Sequence, residues 1–138
     1  MKLRRLIPAA LAVPAIALAL PAPAAHADAA ARTRVKSGPV VVATIETSTL
    51  WWGEGAFHPN GDLLKVNDGT NRGGWRIHAN VEKFYRGEWV YVFGCTAADG
   101  AGTNCWKNIP EGTLVRVHAY AFKGSETKYH RYSAQTRA

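Results

Sequence analysis

In two segments of this 138-residue chain, every second residue is an apolar residue suited to a hydrophobic core, and this pattern constrains the fold most. In the segment from Trp75 to Glu82, apolar residues occupy every second position. The segment from Leu114 to Phe122 places Val115, Val117, Ala119 and Ala121 in the same way. A period of two is typical of half-buried antiparallel strands, and no stretch after Pro39 shows helical periodicity. The chain is therefore predicted to be all-β.

The remaining strands follow from runs of β-branched and aromatic residues between turns rich in Gly, Pro, Asn and Asp. The predicted strands are Val40–Leu50, Asp62–Val66, Trp75–Val81, Trp89–Phe93, Leu114–Phe122 and Thr127–Ser133. The Trp51–Gly55 segment is expected to end the first strand, Lys83–Tyr85 to form a bulge or strand end, and Trp75 and Trp89 to face the core. We expect residues 39–138 to form a small antiparallel β-sandwich, Ig-like or related, of about six or seven strands.

The N-terminal residues have the three parts of a secretory signal peptide. Lys2, Arg4 and Arg5 precede an apolar run over residues 6–20, and Ala25-His26-Ala27 forms a cleavage site. The run is short for a membrane span and contains prolines. The prediction is a signal peptide over residues 1–27, a flexible leader over 28–38, and a secreted, extracellular protein whose mature chain has no integral membrane segment.

Cleavage would remove three cationic residues and lower the formal net charge from +7 to +4. That charge mildly favours anionic surfaces and is too small to indicate nucleic-acid binding. Cys95 and Cys105 are predicted to form a disulfide, because an exported chain meets an oxidising environment. A metal-binding pair is disfavoured, since further thiols and zinc-site spacing are absent from the sequence.

Three stretches together carry a resemblance to a known group of proteins. They are Gly61–Asp68, the Cys95–Trp106 loop and Ile109–Arg116. They resemble small exported proteins of filamentous soil bacteria, which carry a GD-x-hydrophobic-x-V-x-D strand, a cysteine-bridged hairpin and an EGT-x-V strand. Members of that group often have a cysteine where this chain has Asn67. The resemblance implies the fold and export, and it implies no activity.

The sequence lacks the common catalytic signatures G-x-S-x-G, H-E-x-x-H, the P-loop and G-x-G-x-x-G. Its carboxylates are isolated along the chain. Glu46 and Glu82 meeting on neighbouring strands would suit a glycosidase, but surface salt bridges are favoured for them. The turn around Asp68 lacks calcium-loop spacing. No catalytic residue, metal or cofactor is predicted.

Candidate binding residues come from two Arg-x-His steps and from the abundance of aromatic side chains. If their strands are neighbours, Arg76, His78, Arg116 and His118 would form a cationic patch for sulfate, phosphate or carboxylate groups, or the histidines would hold a metal. Two solvated strand faces are the alternative.

Trp51 and Trp52 are adjacent, so at least one should be exposed. With Tyr85, Tyr120, Tyr129 and Tyr132 they are predicted to form a stacking platform for sugar rings or an anchor for a protein. Caps at the ends of the sandwich are the alternative role.

Three functions remain open at this point. The favoured one is a secreted non-catalytic module that binds a polysaccharide or an anionic cell-surface polymer. The second is a secreted interaction or inhibitor domain that presents the Cys95–Cys105 loop to a protein. The third is a small hydrolase whose site the sequence motifs do not reveal.

Overall fold

The computed structural model describes residues 38–69 and 73–138, which form nine β-strands. The predicted signal peptide and residues 28–37 of the predicted leader lie outside these residues. Within the described ranges there is no helix of the length and hydropathy needed to cross a membrane. The predicted all-β class is confirmed.

The strands form two antiparallel sheets. The first sheet has the order β1-β2-β3-β6, with β1 at Val41–Thr47, β2 at Leu50–His58, β3 at Leu63–Asp68 and β6 at Gly102–Trp106. The second has the order β5-β4-β7-β8, with β5 at Glu88–Ala97, β4 at Arg76–Tyr85, β7 at Leu114–Lys123 and β8 at Glu126–Tyr132. A short ninth strand, β9 at Thr136–Arg137, pairs with β7.

The hydrophobic core lies between the inner faces of the two sheets. The first sheet contributes Val41, Ala43, Ile45, Phe57, Leu64 and Val66, and the second contributes Ile77, Ala79, Val81, Phe93, Val115, Val117, Ala119 and Ala121. These residues follow the period of two that the sequence shows along β4 and β7. The arrangement is β-sandwich-like, and the alternation correctly predicts which face of β4 and β7 is buried.

The predicted disulfide is confirmed and connects the two sheets. Cys95 lies in β5 of the second sheet and Cys105 in β6 of the first, with their Cα atoms 6.2 Å apart. The bond therefore fastens one edge of the sandwich, where the chain passes from one sheet to the other. For a loop this short, the loss of denatured-state entropy is worth about 2.5–3 kcal/mol.

The prediction that Trp51–Gly55 ends the first strand is wrong. Ser48 and Thr49 form the turn, and β2 continues through both glycines. A Cβ atom on Gly55 would lie 2.4 Å from the Cβ of Ala79, so glycine is needed where β2 passes close to the second sheet. The glycine reflects close packing between the sheets rather than a chain break.

The placement of Trp89 in the core is also wrong. Val81 of β4 pairs with Phe93, whereas the next residue, Glu82, pairs with Tyr91, so Val92 is an extra residue in β5. A bulge of this kind reverses which residues face outward. Phe93 therefore faces the core, and Trp89 lies on the outer face of the second sheet.

Candidate functional site

The two strands that carry the Arg-x-His steps are neighbours in the second sheet. In the register of β4 and β7, Arg76 pairs with Phe122, and Glu82 pairs with Arg116. Six positions separate these two pairs, which corresponds to about 20 Å along a strand. The two arginines therefore lie at opposite ends of the strands and do not form one cationic patch.

Five rings from three adjacent strands share the outer face of this sheet. They are His78 of β4, His118 and Tyr120 of β7, and His130 and Tyr132 of β8. We refer to these five residues as the histidine–tyrosine face.

The rings of the histidine–tyrosine face stack on one another. His118 and Tyr132 are nearly parallel, with centroids 4.4 Å apart and an interplanar angle of 12°. Tyr120 stacks on His130 at 5.0 Å and lies 5.2 Å from the rings of both His78 and His118. Contacts at these separations restrain the rings, so the surface is ordered before any ligand arrives.

Arg116 supports one end of this face. Its guanidinium carbon lies 4.3 Å from the ring centroids of both Trp89 and Tyr132, so the group is held between two aromatic rings. Its Nε donates a hydrogen bond to Glu82 Oε2 at 2.8 Å. Glu82 balances the charge of Arg116. The main effect of Arg116 is therefore to hold the Tyr132 ring in place, and it offers little free positive charge to a ligand.

A chain of polar contacts crosses the face from Glu82 to Thr127. Glu82 Oε1 lies 3.5 Å from His118 Nδ1, and His118 Nε2 lies 2.9 Å from His130 Nδ1. His130 Nε2 is in turn 3.2 Å from the Thr127 hydroxyl oxygen. One tautomer assignment fits every contact: the hydroxyl donates to His130, His130 donates to His118, and His118 Nδ1–H points to the carboxylate.

The surroundings of two histidines on the face, His78 and His118, favour the neutral imidazole. Burial lowers the pKa of His118 below its ordinary value of 6.5; Glu82 opposes this shift, while the charges of His130 and Arg116 add to it, as does His78. Burial also lowers the pKa of His78, whose Nδ1 lies 3.0 Å from the Thr96 hydroxyl oxygen. At neutral pH the rings of His78 and His118 are therefore mainly uncharged, and each keeps a nitrogen that can exchange hydrogen bonds.

Asn80 lies between His78 and Glu82 along β4 and is buried. Its Oδ1 accepts no hydrogen bond from the residues that the structure describes. Gly94 on β5 provides the space, since a Cβ atom there would lie 2.8 Å from the Asn80 Cβ and 2.9 Å from His78 Nε2. The face thus has an unused acceptor beneath its rings.

The two adjacent tryptophans do not join this surface. Trp51 and Trp52 are the second and third residues of β2 in the first sheet, and 42% of Trp51 is exposed whereas only 9% of Trp52 is. Trp52 packs against Trp75 and Tyr129, with centroid distances of 6.2 Å and 4.9 Å. Trp52 is therefore a core residue that contacts Tyr129, and it does not form an exposed stacking platform with Tyr120 and Tyr132.

Glu82, Trp89 and His130 belong to the site, although the sequence did not single them out as binding residues. A second bulge, between Ala119 and Ala121 of the β7–β8 pair, sets the position of His130.

The register does not place Glu46 beside Glu82, which was the predicted alternative, because Glu46 pairs with Trp51 in the first sheet. Among residues 38–69 and 73–138, no group of three or more His, Cys, Asp or Glu side chains is arranged to hold a metal ion.

The disulfide loop is a short turn that connects β5 to β6 and is held against the end of β3. Asp68 donates its N–H to the Ala101 carbonyl at 3.0 Å, and its Oδ2 accepts from Gly100 N at 3.5 Å. Ala101 N also donates to the Ala98 carbonyl at 3.0 Å. The loop is anchored to the first sheet, which limits how far it projects towards a protein partner.

Comparisons with protein-family models, with curated proteins and with solved structures find no match. The resemblance to small exported bacterial proteins stays a prediction.

Proposed function

We propose that this protein is a secreted, non-catalytic binding module that recognises a polysaccharide or an anionic cell-surface polymer through the histidine–tyrosine face. The observation that carries this proposal is the prearranged stack on the outer face of the second sheet. Tyr132 is 52% exposed, yet its ring is fixed by His118 on β7 and by the guanidinium of Arg116.

Such a surface suits a sugar polymer for two physical reasons. The flat aromatic rings offer apolar area to the C–H face of a sugar, and imidazole and hydroxyl groups beside them can exchange hydrogen bonds with its hydroxyl groups. Rings that are already ordered lose little entropy on binding. Exposed Phe84 and Tyr91 extend the aromatic area towards β5. The four strands span about 14 Å at their usual spacing, which is enough to contact more than one sugar unit.

Charge plays the smaller part in this proposal. Arg116 is paired with Glu82, and the shifted pKa values of His78 and His118 keep these rings neutral at pH 7. A depression of about 200 Å³ near the β5 bulge is lined in part by Lys83 and Lys107. These lysines supply a modest positive potential for an acidic polymer.

The proposal is tested by retention of the mature protein on a panel of insoluble neutral polysaccharides and immobilised anionic polymers at low and high salt. Retention at both salt concentrations supports stacking on a polysaccharide. Retention only at low salt supports an anionic polymer, because screening weakens charge contacts. No retention on any member of the panel overturns the proposal.

A second candidate function, a small hydrolase, is favoured by the chain of contacts from Thr127 through His130 and His118 to Glu82. An imidazole base activates a hydroxyl nucleophile when a third group orients the base, and here His118, itself in contact with Glu82, would orient His130. If the protein hydrolyses simple esters and Thr127→Ala removes this activity, the hydrolase is correct. No turnover above the Thr127→Ala background excludes it.

A further inference from the structure

One lysine of the edge strand β8 is surrounded by aromatic rings. The Nζ atom of Lys128 lies 3.7 Å from the ring centroid of Trp75, 4.5 Å from that of Trp52 and 5.0 Å from that of Tyr129. Lys128 pairs with the buried Ala121 of β7, so its side chain is on the inner side of the sheet. We call the three rings the aromatic cage.

The rings of the cage are held by contacts among themselves. Trp52 meets Trp75 edge-on, at an interplanar angle of 89°, and Tyr129 at a tilt of 55°. Trp52 is also part of the hydrophobic core, and Trp75 and Tyr129 pack against that core. The cage therefore does not depend on the lysine for its shape.

The backbone at Tyr129 supplies an independent observation. Its φ angle is 57°, in the left-handed region that residues other than glycine rarely adopt. It lies where the register of β7 and β8 shifts between Ala119 and Ala121. Strained backbone of this kind is concentrated at ligand sites, and here it accompanies the contact of the Tyr129 ring with Trp52.

We propose that Trp52, Trp75 and Tyr129 form a binding site for an organic cation with an alkylated ammonium group, and that Lys128 occupies this site as a displaceable internal cation. Faces of several aromatic rings attract a cation through their quadrupoles, and quaternary ammonium groups are bound in proteins by cages of this kind. A primary ammonium is strongly hydrated, so Lys128 regains water when it leaves. An alkylated ammonium gives up less hydration on entering.

Displacement is feasible because Lys128 belongs to an edge strand and has a flexible four-carbon stem. An external cation can enter only when Lys128 has left the cage. The apparent affinity for that cation is therefore the intrinsic affinity multiplied by the fraction of molecules whose cage is empty. An alternative role for an inward-pointing lysine on an edge strand is to prevent edge-to-edge association. The test separates these two roles.

The experiment titrates the intact protein and the Lys128→Ala variant with tetramethylammonium chloride and follows the indole N–H resonances of Trp75 and Trp52 by NMR. Trp51 and Trp106, outside the cage, serve as internal references. The neutral isostere of choline, 3,3-dimethylbutan-1-ol, is the control ligand. The proposal predicts selective shifts of the two cage indoles and an affinity at least about tenfold higher in Lys128→Ala.

Titrations with choline and with a trimethyl-lysine peptide then show whether the cage prefers a choline headgroup or a methylated lysine side chain as the source of the cation. Equal shifts with the neutral isostere overturn the proposal, as does the absence of tetramethylammonium shifts in both proteins. Self-association of Lys128→Ala without such shifts also overturns it, and assigns the lysine to edge protection. Because these readouts use tryptophans that remain in place, no cage substitution that might unfold the protein is needed.

Discussion

Arg116 donates from Nε to the Oε2 atom of Glu82 at 2.8 Å, and this ion pair joins the two central strands of the second sheet. The same guanidinium lies between the rings of Trp89 and Tyr132. One side chain therefore connects residues of all four main strands of this sheet. The order of the proposed binding surface depends on this pair.

Replacement of Glu82 by Gln should lower the free energy of unfolding by about 1–2 kcal/mol, because the partly buried guanidinium loses its counter-charge. It should also lower the pKa of His118 further, since Glu82 is the group that raises it. Urea unfolding and NMR titration measure the two effects. Glu111→Gln, at an exposed turn, is the matched control and should change stability by less than about 0.5 kcal/mol. An unchanged His118 pKa would contradict the role of Glu82.

The lowered pKa values of His78 and His118 predict a pH dependence of stability. Below the ordinary value of 6.5, the unfolded chain takes up protons that the buried rings resist. The contribution of these two histidines to the free energy of unfolding is therefore fully present above pH 6.5, and it is lost as the pH drops from 6.5 towards the folded-state pKa values. Urea unfolding between pH 8 and about pH 5 should show this decline, and a His78→Gln variant should show less of it. Stability that rises as the pH falls through this window would reverse the assignment.

The sequence predicts the fold well where local pattern and burial agree. Along β4 and β7, alternation correctly predicts that Ile77, Val81 and Val117 are buried, because each of these strands has one face on the core. It fails at Gly55, since the reason for that glycine is a close approach to Ala79, a residue far away in the chain.

The site was less predictable than the fold, because bulges set its geometry. The extra residue Val92 moves Trp89 outward, and the register shift near Tyr120 places His130 beside His118. A bulge depends on cross-strand pairing, which the periodicity of one strand does not encode. The Arg-x-His steps do lie on the outer face of β4 and β7, where the proposed site is, although the charge of Arg116 is balanced by Glu82.

Gly55→Ala should destabilise the sandwich by about 1–3 kcal/mol through overpacking. The added methyl group would lie 2.4 Å from the Ala79 Cβ and 3.1 Å from the Val117 Cγ1. Arg76→Ala, at an exposed position of β4, should shift stability by less than about 0.5 kcal/mol. Denaturant unfolding compares them, and equal effects of the two substitutions would show that β2 does not pass closely over the second sheet.

Intact-mass measurement of secreted protein should show a chain that begins at Asp28, because cleavage follows the small residues Ala25 and Ala27. Alkylation should modify Cys95 and Cys105 only after reduction, since they form the disulfide between the sheets. A mass that matches the full 138 residues would contradict cleavage of a signal peptide. Alkylation of the cysteines without prior reduction would contradict the disulfide.

The central claim is that the histidine–tyrosine face binds the polymer. The most direct test compares the polymer affinities of two variants, one at a tyrosine of this face and one at a tryptophan of the other sheet. Tyr132→Ala removes an exposed ring from this face, and Trp106→Ala removes one that is 72% exposed on β6 of the first sheet. For the polysaccharide that retains the protein best, Tyr132→Ala should weaken binding by about 1–3 kcal/mol, the scale of an anchoring aromatic, whereas Trp106→Ala should leave it unchanged. Loss of binding in Trp106→Ala, with Tyr132→Ala still at full affinity, would place the site on the first sheet and contradict the claim.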